Sequence, residues 1–238
     1  MKRATLDALL ADRAAKRSAV LVTNLKSGEE WLLHPDAGDA APPGLEAEVA
    51  EALAHDASRT VETPDGAWFV QPFQTPVRLV VVGAVHIAQP LAEMAALAGL
   101  DVVVVDPRTS FASEARFPNV QLVTLWPDEA LAQLAPDRRT AIVTLTHDPK
   151  LDDPALCAAL RSECFYVGSL GSRKTHAARL GRLRKEGFSD EELARIRGPA
   201  GLSIGARTPA EIAISIAAQI VECLRAAPGK TGDAAAPA

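Results

Sequence analysis

Four short polar clusters, each placed just after an apolar run, hold most of the side chains that could do chemistry in this sequence. In "LVVVGAVHIAQPLA", residues 79–92, a strand-like run ends in Gly83-Ala84-Val85-His86 before an amphipathic stretch. A strand–turn–helix of this kind offers free backbone N–H groups and a partial positive charge to an anion. A dinucleotide-binding turn would carry its second glycine at position 85, and the Val85 side chain obstructs the close backbone approach of a pyrophosphate. His86 falls in the first helical turn, where it offers an imidazole to a ligand or, equally, caps the helix through the backbone.

The second cluster, Asp106-Pro107-Arg108, closes the next apolar run. An acid about 20 residues beyond the turn is where a ribose hydroxyl would be held, and an arginine fork suits a phosphate or a planar polar group. The third is Thr146-His147-Asp148-Pro149-Lys150, followed by Asp152-Asp153-Pro154. Here His147 and Asp148 are expected to face a ligand, while Asp152 or Asp153 caps a helix beginning near Pro154. The fourth is "CFYVGSLGSRKTHAARL", residues 164–180, where a strand ends in Gly168-Ser169-Leu170-Gly171 and Ser172 caps a helix. The first turn of that helix carries Arg173 and Lys174, with His176 close behind. Cations there oppose the helix dipole, and a bound oxyanion would reverse the conflict, so a phosphate or comparable anion site is expected.

Positioning these clusters requires strands that end where they begin. From residue 77 onward, strands at 77–83, 101–106, 120–125, 139–146 and 164–168 alternate with helices at about 86–98, 127–135, 153–162, 172–186, 189–196 and 208–226. A further strand is expected near 202–204. Thr208-Pro209-Ala210-Glu211 marks the start of the last helix, combining a cap hydroxyl, a proline at the first position and a closing glutamate. The alternation predicts an α/β fold, a doubly wound, Rossmann-like, mostly parallel sheet, with ligands outside the carboxyl ends of its strands. Residues 1–76 read as a small N-terminal α+β domain, with turns at Lys26-Ser27-Gly28 and Pro64-Asp65-Gly66. The sheet domain spans 77–227, and 228–238 is expected to be a disordered tail.

Composition narrows the function. A formal charge of −5 and a pI near 5.6 argue against general nucleic-acid binding. The apolar runs are strand-length, short of the roughly 20 residues a membrane helix needs, and no secretory signal is evident, so a cytoplasmic address is expected. Three cysteines, Cys157, Cys164 and Cys223, form no C-x-x-C pair, which suggests neither a disulfide framework nor a zinc site. No metal ligand set and no catalytic residue is assigned.

The chain resembles the xanthine dehydrogenase accessory factor family of XdhC/CoxI type. The resemblance rests on "VVVGAVHIAQPLA", "VVDPR" with "FASEARFP", "LTHDPKLDDPAL", "YVGSLGSRKTHAARL" and "IGARTPAEIA", which together cover most of residues 77–225. It implies binding of molybdenum cofactor (molybdopterin) and a chaperone-like, accessory role in inserting the sulfurated cofactor into a xanthine dehydrogenase-like molybdenum hydroxylase. A cysteine desulfurase would be the sulfur source, and a homodimer is consistent with the class. In this reading Gly83–His86, Asp106, Arg108, Thr146, His147, Asp148, Gly168, Ser169 and Gly171–Lys174 line the cofactor crevice. Two departures stand out. The family's first turn is Gly-Ala-Gly-His, whereas position 85 here is valine. The family's glycine-rich, cysteine-bearing N-terminal segment is not recognisable in residues 1–76, so the sulfur is carried by another thiol, by a separate protein, or not by this chain at all. Two other classes remain open: an NAD(P)-dependent oxidoreductase, which Asp106 favours and Val85 disfavours, and a non-enzymatic module sensing a phosphorylated ligand.

Overall fold

A computed structural model describes residues 1–226, and the tail expected over 228–238 lies outside them. Two compact units are present, one containing Met1–Thr75 and one spanning Pro76–Leu224.

The first unit is a four-stranded antiparallel sheet with two helices. Helix α1 (Arg3–Ala14) precedes β1 (Ala19–Asn24) and β2 (Glu30–Leu33), and α2 (Glu46–His55) precedes β3 (Arg59–Thr63) and β4 (Gly66–Phe73). The strand order is β2-β1-β4-β3. Side chains alternate across a strand, so β1 serves two cores: Val20 and Val22 pack with Val49 and Ala52 of α2, while Ala19 and Leu21 pack with Leu9 of α1.

The second unit is a six-stranded, all-parallel sheet built from β5 (Arg78–Val82), β6 (Asp101–Val105), β7 (Gln121–Val123), β8 (Thr140–Thr144), β9 (Tyr166–Ser169) and β10 (Ile196–Arg197). Its order, β10-β9-β8-β5-β6-β7, is that of a doubly wound sheet. The run Leu79–Val82 is buried on both faces: Leu79 and Val81 meet α3 (Ala88–Leu97) and α8 (Pro209–Arg225), whereas Val80 and Val82 meet α4 (Pro127–Leu134) and α5 (Pro149–Leu160). Leu183 of α6 (Arg173–Lys185) and Leu193 of α7 (Asp190–Ala194) complete the second face.

Three expectations need correction. No strand forms at 202–204; the sixth strand is Ile196–Arg197, paired with Val167 and Gly168, at the end of the stretch read as helix 189–196. Helix α5 begins at Pro149, not near Pro154, because Asp148 caps it by accepting from the Lys150 N–H at 2.9 Å. Helix α3 begins at Ala88, so His86 lies in the turn before it rather than in its first turn.

Candidate functional site

Strand order reverses at β5, which has β6 on one side and β8 on the other. All four polar clusters follow the carboxyl ends of adjacent parallel strands, β6, β5, β8 and β9, and therefore share one rim of the sheet. The turn after β5 forms the floor of the switch-point crevice, the position where ligands of open α/β sheets bind. The loops after β6 and β8 stand on either side of it.

The floor is held rigidly. Gly83 has φ +108°, and a Cβ there would meet Thr146 Cγ2 at 2.4 Å, so glycine is required both by conformation and by the approach of the β8 loop. Both main-chain polar groups of Ala84 are pinned by side chains from the β6 loop. Its N–H donates to Asp106 Oδ2 at 2.8 Å, and its carbonyl accepts from Arg116 Nη1 at 2.8 Å. Val85 is half-buried and His86 exposed at the rim.

Asp106 does not face a ligand. It is 1% exposed, and both of its oxygens are engaged by Arg108: Oδ1 accepts from Nε at 2.8 Å and Oδ2 from Nη2 at 2.7 Å. Those bonds, together with the backbone donors, hold its carboxyl below the ordinary range even though burial pushes it upward. The acid expected to hold a ribose instead fixes the floor and orients Arg108. Arg108 stays half-buried, within electrostatic reach of Asp148 and Asp152 across the crevice, which raises its pKa further after the main effect of Asp106. Arg116 was not singled out by sequence reasoning, and only its place in "FASEARFP" hinted at a role.

The β8 wall is organised by Asp152, which is fully buried and does not cap a helix. Its Oδ1 accepts from Thr146 Oγ1 at 2.7 Å and from the Thr146 N–H at 3.3 Å; its Oδ2 accepts from the His147 N–H at 3.1 Å and from Arg179 Nη2 at 3.2 Å. Burial pushes this carboxyl above the ordinary range against those donors. The resulting loop places His147 in the left-handed region, φ +62°, with its side chain exposed. Strain of about 1–3 kcal/mol at such a residue persists only where the surroundings enforce it; here Asp152 does so. Thr146 therefore supports the loop, while His147 and Asp148 remain accessible.

On the β9 side the predicted residues separate into two groups. Ser169 is fully buried, bonded to Thr144 Oγ1 at 2.7 Å, and Gly168 makes room for the Tyr166 ring, whose Oη would lie 2.5 Å from a Cβ. These two were expected to touch a ligand; they hold the sheet together instead. Gly171, at φ +146°, and the exposed Ser172, Arg173 and Lys174 are at the surface of the rim. Ser172 caps α6 through the Thr175 N–H at 3.1 Å. About two turns into the helix, Arg179 is 1% exposed, with Nη2 on Asp152 and on the Leu170 carbonyl at 3.2 Å, while its Nε and Nη1 lack partners among the described residues. The anion-poor helix end thus carries two exposed cations and a buried third.

None of the three cysteines is an activated thiol. Cys164 is buried and donates to the Ala159 carbonyl at 3.4 Å, and burial raises the pKa of Cys157, Cys164 and Cys223 alike. A hollow of about 860 Å³ lies between α4, α5 and α6, lined by Leu131, Pro149, Pro154, Cys157 and Arg182 among others. Arg182 is already bonded to Asp153, at 2.5 and 3.0 Å. Arg161 and Lys185 also line that space, whereas the rim adds the N-terminus of α6 to its two exposed cations, which makes it the better candidate for an anionic ligand. Among the described residues no group of three or more His, Cys, Asp or Glu is arranged to hold a metal ion, and no helix is long and apolar enough to cross a membrane.

Comparison with known proteins agrees with the fold. Residues 79–220 match the family described as the XdhC Rossmann domain. The molybdenum cofactor insertion chaperone PaoD of Escherichia coli K12 is 35% identical over 148 residues, 62% of this chain and 40% of that protein. A probable xanthine dehydrogenase subunit of Bacillus subtilis 168 is 32% identical over 155 residues, 65% of this chain and 45% of its own length. The uncharacterized protein YqeB of E. coli K12 is 35% identical over 156 residues, covering 64% of this chain and 28% of that one. The chain thus spans less than half the length of each of these relatives. A crystal structure of a xanthine dehydrogenase from Bacillus halodurans shares the fold, with a TM-score of 0.69 over 97% of this chain and 66% of that chain, at 24% identity.

Proposed function

This chain belongs to the XdhC Rossmann-domain family, and on that premise we propose that it is a molybdenum-cofactor maturation factor, holding molybdopterin for insertion into a xanthine dehydrogenase-like hydroxylase. The name of the relative PaoD, a molybdenum cofactor insertion chaperone, supports the reading. The observation that carries it is the end of α6: a helix N-terminus with Arg173 and Lys174 exposed in its first turn, where a bound anion offsets the conflict between their charge and the helix dipole. The donor set fits a phosphate-bearing ligand.

In this assignment Gly171, Ser172, Arg173 and Lys174 hold the phosphate, and the turn Ala84–His86 forms the floor of the crevice. Arg108, His147 and Asp148 contact the polar edges of the ligand, while Asp106, Thr146, Gly168 and Ser169 position the residues that do. When bound, the cofactor supplies the molybdenum chemistry of the client enzyme; this chain contributes orientation and shelter from water. With Cys157, Cys164 and Cys223 made less acidic by burial, none of the three is assigned as the sulfur carrier, and a cysteine desulfurase is the sulfur source. A cytoplasmic place fits the three unpaired cysteines. An NAD(P) oxidoreductase is disfavoured by Val85 and by the engagement of both Asp106 oxygens.

The test is reconstitution: purified chain is mixed with molybdenum cofactor, a cysteine desulfurase and an apo-hydroxylase, and hydroxylase activity is followed. Recovery faster or more complete than without the chain is expected. Equal recovery with and without it overturns the assignment.

A further inference from the structure

Phe111, on the loop after β6, keeps 40% of its surface exposed while its neighbours Ala112 and Phe117 are buried. Its place is fixed by the backbone, since its N–H donates to the Arg108 carbonyl at 2.9 Å and its carbonyl accepts from Arg116 Nη1 at 2.7 Å. The Arg108 guanidinium lies 4.4 Å from the ring centroid, and Arg116 stands farther off at 5.9 Å. Asp106 anchors Arg108 in turn with a two-pronged bond, so ring and cation form a rigid pair at the edge of the crevice. The guanidinium covers one face of the ring, and a planar heteroaromatic ring suits the other, where it stacks on the aromatic surface with the cation behind it.

We infer that Phe111, backed by Arg108, is the stacking platform for the flat fused ring of a ligand whose anionic end lies at the N-terminus of α6. The two ends follow β6 and β9, which are separated by β5 and β8. Three strand spacings of about 4.8 Å amount to about 14 Å. An elongated molecule with a fused ring at one end and a phosphate at the other fits that span, whereas a bare anion occupies only the α6 end. The inference rests on the cofactor reading above and adds to it the residue that recognises the pterin ring.

The experiment compares wild-type chain, Phe111→Ala and Phe111→Trp for binding of molybdenum cofactor released from a purified hydroxylase, and for stabilisation by inorganic phosphate, which has no ring. Phe111→Ala should weaken cofactor binding by about tenfold or more, as loss of a base-stacking aromatic does elsewhere, with the response to phosphate unchanged; Phe111→Trp should keep cofactor affinity. Unchanged cofactor affinity in Phe111→Ala overturns the platform while leaving the cofactor reading standing. Equal loss of the phosphate response also overturns it, since the effect would then be general to the fold. Failure of the wild-type chain to bind cofactor overturns both.

Discussion

Replacing Asp152 by asparagine tests whether the crevice is built as described. All four partners of this carboxylate are donors: the Thr146 hydroxyl and N–H on Oδ1, and the His147 N–H and Arg179 on Oδ2. Asparagine matches the shape, but its amide nitrogen is itself a donor and must face one of these two pairs. With that nitrogen toward Arg179 and the His147 N–H two hydrogen bonds are lost, and toward Thr146, whose hydroxyl can turn to accept, one is lost; either way the Arg179 guanidinium, 2% exposed at its side chain, loses its counter-charge. Leaving one partner of a buried ion pair uncompensated costs about 3–5 kcal/mol, which for a unit of this size lowers the thermal midpoint by roughly 6–20 °C. The control is Asp152→Asn with Arg179→Met, which keeps an acceptor oxygen for the β8 loop and removes the uncompensated guanidinium, so it should recover most of the loss that the charge causes. Urea unfolding followed by far-ultraviolet circular dichroism reads both. The reasoning is refuted if Asp152→Asn changes stability by less than about 0.5 kcal/mol, the range of an ordinary surface substitution, or if adding Arg179→Met makes the protein no more stable than Asp152→Asn alone.

Gly83→Ala should destabilise by about 2–5 kcal/mol, combining a disfavoured backbone conformation with overpacking against Thr146 Cγ2; adding Thr146→Ser, which removes that methyl, should restore only the overpacking part in the same denaturation assay. His34 in the first unit bonds to Asp12 at 2.8 Å and to Asp39 at 3.2 Å, and these partners raise its pKa above the ordinary 6.5 despite burial. Its contribution is therefore full below pH 6.5 and lost as the pH rises through the higher folded value. His34→Gln should flatten the stability profile over that window, and a profile of unchanged slope would show the ion pairs to be without effect.

Much of this architecture is written locally. The valine run before Gly83 and the repeat of strand, turn and helix define the sheet, and Thr208 and Glu211 cap α8 as their spacing indicates, with the Glu211 N–H on Thr208 Oγ1 at 3.3 Å and the Thr208 N–H on Glu211 at 3.0 Å. Errors arose where two local signals compete. Pro149 and Pro154 each follow an aspartate, and both read as a helix start; the chain begins the helix at the first and accommodates the second inside it. Strand β10 has two residues and owes its existence to pairing with β9, a tertiary fact that periodicity does not carry.

The site was legible in outline. Its clusters stand out because polar residues crowd the ends of apolar runs, and strand order brings those ends together. Which members face outward was not legible. Arg179 is one of several cations on a basic helix, and its burial against Asp152 is a contact across 27 positions. Asp106 sits where a ribose-binding acid would, and only the geometry of Arg108 and Ala84 reveals that its oxygens are taken.

The central claim, an anion-holding rim that retains molybdopterin, is tested most directly by purifying the chain and its Arg173→Ala/Lys174→Ala variant from cells that make the cofactor, then releasing any bound pterin with acid and measuring its fluorescent oxidation product. The account predicts pterin with the wild-type chain and a marked loss from the variant, whose thermal midpoint is equal or slightly higher because two cations no longer oppose the helix dipole. Equal pterin in both preparations, or none with the wild-type chain, would contradict it.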